Sequence, residues 1–134
     1  MKNLIEINYQ QTGESTSINN MGMRAMQARA YAARNSQYLL LKAPPASGKS
    51  RALMFLGLDK IHNQGLSKVI VAVPERSIGG SFASTKLSES GFFADWDIKP
   101  EHNLCTAGGD KSKVKAFKRF KEGTDQILVC THAT

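Results

Sequence analysis

The segment Ala43–Ser50, which reads Ala-Pro-Pro-Ala-Ser-Gly-Lys-Ser, combines residue types that can bind phosphate. It follows the apolar run Tyr38–Leu41, which predicts a short buried strand over 38–42. It precedes Arg51–Leu56, which predicts the start of a helix. A strand, a loop of small residues ending in Gly-Lys-Ser, and a helix together form the context of a P-loop. The backbone N–H groups of such a loop and the positive end of the helix create an anion site for polyphosphate.

Each residue of this loop has an expected role. Gly48 permits the backbone turn, because glycine tolerates dihedral angles that other residues avoid. Lys49 would reach the β- and γ-phosphates, and the Ser50 hydroxyl would hold Mg²⁺. We therefore predict ATP and Mg²⁺ as cofactors, with Lys49 and Ser50 catalytic and Ser50 the metal ligand. The predicted nucleotide contacts in this segment are Ala46, Ser47, Gly48, Lys49, Ser50 and Arg51. The alternative is an ordinary strand-to-helix turn in which Gly-Lys-Ser occurs by chance.

Composition and charge limit the class of protein. The 134 residues carry a formal net charge of +7, which suits a polyanionic partner. No apolar run approaches the ~20 residues of a membrane span, and Met1–Asn8 lacks the apolar core of a signal peptide. Cys105 and Cys130 lie in apolar runs without metal-ligand spacing, which predicts reduced, buried packing residues. We expect a cytoplasmic protein that does not contact a membrane.

Strands and helices are predicted to alternate along the chain, which indicates an α/β fold with a largely parallel sheet. Ligands of such sheets bind beyond the carboxyl ends of the strands. Gly91–Trp96 is rich in aromatic residues and is expected to fill the core. The predicted strands are 4–9, 38–42, 69–73, 104–106 and 127–131, with 69–73 covered on both faces. The predicted helices begin at Asn19 or Asn20, after the P-loop, at Ser77 or Ser81, and at Ser112.

In this order the motifs resemble the first RecA-like lobe of superfamily 2 helicases and translocases. That group includes the DEAD/DEAH-box proteins and the helicase subunits of type III restriction enzymes. Met23–Gln27 looks like the family's Leu-Arg-Pro-x-Gln segment, whose Gln hydrogen-bonds adenine, so the resemblance implies that role for Gln27. Ala43–Ser50 is similar to the Ala-Pro-Thr-Gly-Ser-Gly-Lys-Thr form of motif I. This form also explains Ala43, where the general P-loop pattern has Gly.

Segments at the other strand ends resemble the family's nucleic-acid-binding motifs. Pro74–Ile78 looks like motif Ia, Gly108-Gly109 resembles motif Ib, and Thr131–Thr134 resembles the element that ends the next strand. The resemblance implies contacts to the backbone of a nucleic acid, with DNA favoured over RNA. The residues implied are Pro74, Arg76, Gly108, Gly109 and Thr131.

Each of these residues also has a plainer interpretation. Gln27 could be an exposed helix residue, Gly108-Gly109 a turn, and Thr131 a strand-end cap. Pro74 could end a strand and Arg76 could be a surface charge. The lysine-rich helix 112–122 is interpreted as a solvated face.

The resemblance implies that 1–134 is the N-terminal part of a RecA-like ATP-binding domain, an incomplete P-loop lobe with flanking helices. The family's Asp-Glu-x-His strand end and the other helicase lobes are expected outside these residues. We expect 1–134 alone to bind nucleotide weakly, to lack helicase-like ATP hydrolysis, and to self-associate through open strand edges. Two other functions remain open. One is a stand-alone nucleotide- and nucleic-acid-binding module without turnover, and the other is a small P-loop phosphotransferase.

Overall fold

The computed structural model describes residues 17–105 and 110–132 of the chain. The described residues contain three α-helices and a parallel pair of strands, which confirms the α/β class. The expectations for strand 4–9 and for Gly108 and Gly109 lie outside the described residues. The helices are α1 (Ala25–Ala32), α2 (Lys49–Asn63) and α3 (Asp110–Glu122), and the strands are β1 (Val69–Val73) and β2 (Ile127–Thr131). Three short 3₁₀ helices, Arg76–Phe82, Leu87–Ser90 and Pro100–His102, lie between β1 and α3.

The described sheet has two strands, β1 and β2, which pair in parallel. Val69 lies opposite Ile127, and Val73 lies opposite Thr131. Strand β2 is buried along most of its length, but β1 leaves one face open, with Ile70 51% exposed. The expectation that β1 is covered on both faces is therefore wrong. Its β-branched residues favour an extended strand, but among the described elements nothing covers the face that Ile70 occupies.

The predicted strand over 38–42 is also absent. These residues have irregular backbone, and Tyr38 and Leu40 are 86% and 81% exposed. A strand needs a neighbour that satisfies its backbone N–H and C=O groups. Within 17–105 and 110–132, the strands β1 and β2 pair with each other and not with this segment. Apolar composition alone therefore did not make 38–42 a strand.

The aromatic connection after the second 3₁₀ helix fills the core, as predicted. The Trp96 side chain is completely buried, and its indole N–H donates to the carbonyl of Phe82 at 2.9 Å. The ring of Phe92 packs against that of Phe55 of α2, with centroids 4.7 Å apart. Phe93 is the exception, because its side chain remains half exposed. The core therefore lies between α2 and this connection.

Helix α1 begins later than predicted. Asn19 does cap a turn, because its Oδ1 accepts the backbone N–H groups of Met21 and Met23, each at 3.1 Å. The helix itself starts at Ala25. The N-cap of the helix is Arg24, so the prediction that Asn19 or Asn20 caps it is wrong. The side chain of Asn19 instead fixes the turn that precedes the helix.

Three smaller expectations had mixed outcomes. The helix expected from Ser77 or Ser81 is replaced by two 3₁₀ helices. Of the strand candidate at 104–106, Leu104 and Cys105 form no strand, and Thr106 lies outside the described residues. A parallel bridge joins the preceding Asn103 to Val129. Cys105 and Cys130 are buried and unpaired, as predicted for packing residues.

None of the described helices is both long and apolar enough to cross a membrane.

Candidate nucleotide-binding site

The loop before α2 has the backbone shape that its sequence predicts. Gly48 precedes the first residue of α2 and has a left-handed φ of 91°. Ala46 is also left-handed, with a φ of 62°, which costs a non-glycine residue roughly 1–2 kcal/mol. The residues Gly-Lys-Ser therefore lead directly into the first turn of a 15-residue helix. Backbone N–H groups at such a position have no partner within the helix and are available to an anion.

A cavity of about 450 Å³ lies at this end of α2. The loop and the first turn supply Ala46, Gly48, Lys49 and Ser50. The lining also includes Ser81, from the 3₁₀ helix that follows β1. The segment beyond the carboxyl end of β1 thus shares this cavity with the Gly-Lys-Ser residues, as expected for a ligand site in a parallel α/β fold.

The electrostatics of this cavity favour an anion. Lys49 is exposed and, among the described residues, has no hydrogen-bonding or ion-pairing partner. The first turn of α2 contains no acidic residue. The positive end of a helix and an unpaired ammonium group together attract a negative ligand. Ser50 is half-buried beside Lys49 and lines the same cavity.

Gln27 connects α1 to this loop. Its side chain is 2% exposed, so it is not an exposed helix residue. Its Oε1 accepts the backbone N–H of Arg24 at 2.7 Å, and its Nε2 donates to the carbonyl of Gly48 at 3.0 Å. A Cβ at Gly48 would lie 2.5 Å from Nε2, so only glycine fits here without a shift. The adenine contact of Gln27 stays a prediction, and the structure adds a contact to Gly48.

Ser47 is less available to a ligand than the sequence suggests. Its hydroxyl is buried and has no hydrogen-bond partner in the described part of the chain. Its backbone N–H donates to the carbonyl of Pro44 at 3.3 Å. A buried hydroxyl without a partner is unfavourable by about 1–3 kcal/mol. The contact between Ser47 and a nucleotide therefore stays a prediction, and its hydroxyl could make it only after a change in the conformation of the loop.

A second cavity, of about 430 Å³, adjoins the first. Arg24, Gly48 and Arg51 line both cavities, while Gln27 lines the second. Arg51 was among the predicted contacts, and Arg24 was not. Arg24 could have been predicted from its position inside Met23–Gln27, the segment that resembles the family's adenine-binding motif.

The carboxyl ends of β1 and β2 bring together three predicted nucleic-acid contacts. Pro74 and Arg76 follow β1 and are exposed, and Thr131 is the last residue of β2, paired with Val73. The Arg76 Nε also donates to the carbonyl of Cys105 at 3.2 Å, so Arg76 holds a neighbouring loop as well. These three residues occupy one edge of the sheet.

A buried carboxylate fastens α1 to the far end of α2. Asp59 is 1% exposed, and it accepts hydrogen bonds from Tyr31 at 2.9 Å, Asn63 at 2.6 Å and Gln64 at 2.8 Å. Burial alone raises the pKa of Asp59, but these hydrogen bonds, with help from Arg34, hold its pKa below the ordinary value. Burial and the bond to Asp59 raise the pKa of Tyr31 to about 12. The pair α1–α2 is thus held at both ends.

The whole chain has a counterpart in a longer protein. Over all 134 residues it is 68% identical to a Bacillus subtilis (strain 168) protein named "Putative ATP-dependent helicase YeeB". The chain is therefore related to a protein that is named as a helicase. It spans 22% of that relative's length. No protein-family model and no solved structure matches the chain.

Proposed function

We propose that this chain is the ATP-binding segment of an ATP-dependent nucleic-acid helicase or translocase of superfamily 2. The observation that carries the proposal is the Gly48 loop, which opens a cavity at the start of α2 beside the unpaired Lys49. The relative YeeB, named as an ATP-dependent helicase, supports this function. The proposed architecture is a RecA-like lobe to which 1–134 contributes the N-terminal part, with the other lobes lying outside these residues.

The groups around the cavity suit a nucleotide polyphosphate. Lys49 offers an ammonium group, Ser50 offers a hydroxyl, and the start of α2 offers backbone N–H groups. Nearly all of these are hydrogen-bond donors, as an anionic ligand requires. Lys49 would hold the β- and γ-phosphates, and Ser50 would be a ligand of Mg²⁺. When bound, Mg²⁺ offsets the charge of the phosphate oxygens.

The strand-end residues form the proposed nucleic-acid track. Pro74, Arg76 and Thr131 lie at the carboxyl edge of the two strands, and Gly108 and Gly109 are proposed to extend this track. The 3₁₀ helix Arg76–Phe82 begins at the track, and its Ser81 lines the nucleotide cavity. One short segment therefore contacts both proposed ligands, which gives a physical route by which one could affect the other. We propose DNA as the preferred nucleic acid.

The proposal is tested by phosphate release from ATP in the full-length protein, measured with and without single-stranded DNA. We expect DNA to raise the rate, and Lys49→Ala to abolish both the basal and the stimulated rate. Binding of ATP without turnover would favour a nucleotide-binding module. Transfer of phosphate to a small acceptor would favour a phosphotransferase.

A further inference from the structure

Helix α3 presents a row of uncompensated positive charge to solvent. No acidic residue interrupts its segment 113–121. Within the part of the chain that the structure describes, the exposed basic side chains of this segment form no hydrogen bond or ion pair. Glu122 at the end of the helix is not paired with them, and Asp125 is paired with Lys99 instead, at 3.0 Å. These exposed basic residues, the basic row, are Lys115, Lys118, Arg119 and Lys121.

The basic row disfavours the helix that carries it. Residues three or four positions apart are neighbours on a helix, so Lys115 neighbours Lys118 and Arg119, and Lys118 neighbours Lys121. Like charges in such pairs destabilise a helix. Solubility does not require this repulsion, since a surface that mixes both signs of charge serves it as well. An anionic partner would offset the repulsion, whereas a solvated face, which the sequence alone favours, would leave it uncompensated.

The basic row extends to a part of the molecule that is separate from the proposed nucleic-acid track. The end of α3 adjoins the amino end of β1, because Lys68, which precedes β1, donates through Nζ to the carbonyls of Gly123 and Asp125 at 2.9 and 2.7 Å. The track residues Arg76 and Thr131 lie at the carboxyl ends of the strands. The length of β2 separates these two edges by ~13 Å, at ~3.3 Å for each residue step. The last turn of α3 is therefore a second charged surface.

The opposite face of α3 is used for packing, which limits the partners that the basic row can bind. Phe120 is 1% exposed and packs against Leu104 and Leu128. In the described part of α3, only Val114 and Phe117 leave large apolar side chains exposed. Helices that lie in a membrane interface insert a broad apolar face. Because the apolar face of α3 is buried in its own domain, the row is suited to binding a polyanion through charge.

We propose that the basic row of α3 binds the phosphate backbone of duplex DNA. This inference rests on the proposed function, in which a nucleic acid is the substrate. A duplex carries one negative charge per ~1.7 Å of its axis, so each phosphate contact releases more counterions from it than from a single strand. Single-strand sites also stack bases on aromatic side chains, and Phe117 is the one aromatic residue that the described part of α3 exposes. The row therefore favours the duplex, whereas the track would hold the single strand.

The experiment measures binding of the full-length protein to a fluorescent DNA duplex and to a single strand of the same length, at several salt concentrations. The test variant is Lys115→Gln/Lys118→Gln, because both side chains are exposed and glutamine is a good helix former. The matched control is Arg29→Gln/Lys86→Gln, which removes two exposed cations elsewhere on the surface. Thermal unfolding checks that both variants are folded.

We expect the test variant to bind the duplex more weakly. The slope of the logarithm of its affinity against the logarithm of salt concentration should fall by about 1.8, because each lost phosphate contact contributes about 0.9. Its affinity for the single strand should match that of the wild type. The control variant should bind both forms of DNA as the wild type does.

Wild-type affinity and salt slope for the duplex in the test variant would overturn the inference. An equal loss for the duplex and the single strand would also overturn it, because the row would then belong to the track. So would a test variant that loses binding to anionic phospholipid vesicles and keeps its binding to the duplex, since the row would then be a membrane surface. A wild type that binds neither form of DNA would instead contradict the proposed function itself.

Discussion

The side-chain amide of Gln27 donates a hydrogen bond to the carbonyl of Gly48 across 3.0 Å, which fastens α1 to the loop that starts α2. The same side chain accepts the N–H of Arg24 at the start of α1. Removal of the buried amide would break both bonds, and the Gly48 carbonyl would keep the bond that it accepts from the backbone N–H of Ala52 at 3.1 Å. The loop at Gly48 is therefore bonded to a residue 21 positions away in the sequence.

Gln27→Ala tests this dependence. We expect it to lower the free energy of unfolding by about 1–3 kcal/mol, because the two hydrogen bonds from the buried Gln27 amide to Arg24 and Gly48 are lost. We also expect weaker binding of ATP and a smaller preference for ATP over GTP. Chemical unfolding and nucleotide titration measure these effects, with Gln37→Ala, at an exposed glutamine, as the control. A destabilised variant with an unchanged preference for ATP would limit Gln27 to positioning the loop.

The buried carboxylate of Asp59 predicts a pH dependence of stability. The folded state holds the pKa of Asp59 below its ordinary value, so the unfolded chain takes up a proton at higher pH than the folded chain. The stabilisation is therefore present above the unfolded pKa of ~4 and is lost as the pH falls through the lower folded pKa. Thermal unfolding between about pH 6 and 2 should show this loss, and Asp59→Asn should reduce it.

Glu101→Gln serves as the control for this series, because Glu101 is exposed. The account of Asp59 would be contradicted by an Asp59→Asn variant whose stability falls with acid as steeply as that of the wild type.

Tyr31 predicts a loss of stability at high pH. Its pKa of about 12 exceeds that of a free phenol, so its contribution is lost as the pH rises from about 10 towards 12.

The sequence predicted the elements that depend on local pattern and missed those that depend on neighbours. The strands β1 and β2, the helix after Gly48, and the buried Trp96 follow from apolar runs and turn residues. The segment 38–42 has an equally apolar pattern, but a strand also requires a pairing partner, which its own sequence cannot reveal. The sequence of β1 likewise could not show that one face of the strand is exposed, because its burial depends on whether other elements pack against it.

The candidate site was predictable in its types of residue but not in its contacts. Gly-Lys-Ser predicted a P-loop at this position, and the structure has a cavity beside these residues. The bond from Gln27 to Gly48 joins two segments whose proximity depends on how α1 packs against α2. The burial of the Ser47 hydroxyl likewise depends on the path of the loop. These two features depend on long-range packing, so a motif in the sequence could not predict them.

Gly91 predicts a strong effect of one added methyl group. Its φ of 110° is left-handed, and a Cβ there would lie 1.9 Å from the carbonyl oxygen of Asn20. Gly91→Ala should therefore destabilise the fold by at least about 2 kcal/mol, through backbone strain and overpacking. Gly80→Ala is the matched control, since a Cβ at Gly80 would have no neighbour within 4 Å. Equal melting temperatures of the two variants would show that the contact between Asn20 and Gly91 is not maintained in solution.

Arg76→Ala tests the proposed nucleic-acid track. We expect the full-length protein carrying this change to bind single-stranded DNA more weakly, irrespective of base sequence, because a phosphate contact is lost. The slope of the logarithm of affinity against the logarithm of salt concentration should fall by about 0.7. Fluorescence anisotropy at several salt concentrations measures both quantities, with Arg29→Ala as the control. Wild-type affinity and salt slope in Arg76→Ala would remove Arg76 from the track.

The most direct test of the central claim is the affinity of the wild type and of Lys49→Ala for ATP in the presence of Mg²⁺, measured by calorimetric titration. Lys86→Ala, which alters an exposed lysine outside both cavities, is the control. We predict that the wild type and the control bind ATP equally, and that Lys49→Ala binds it at least about tenfold more weakly, because the charge-assisted contact to phosphate is lost. Equal binding of ATP by the wild type and Lys49→Ala would contradict the claim that this loop is a nucleotide site.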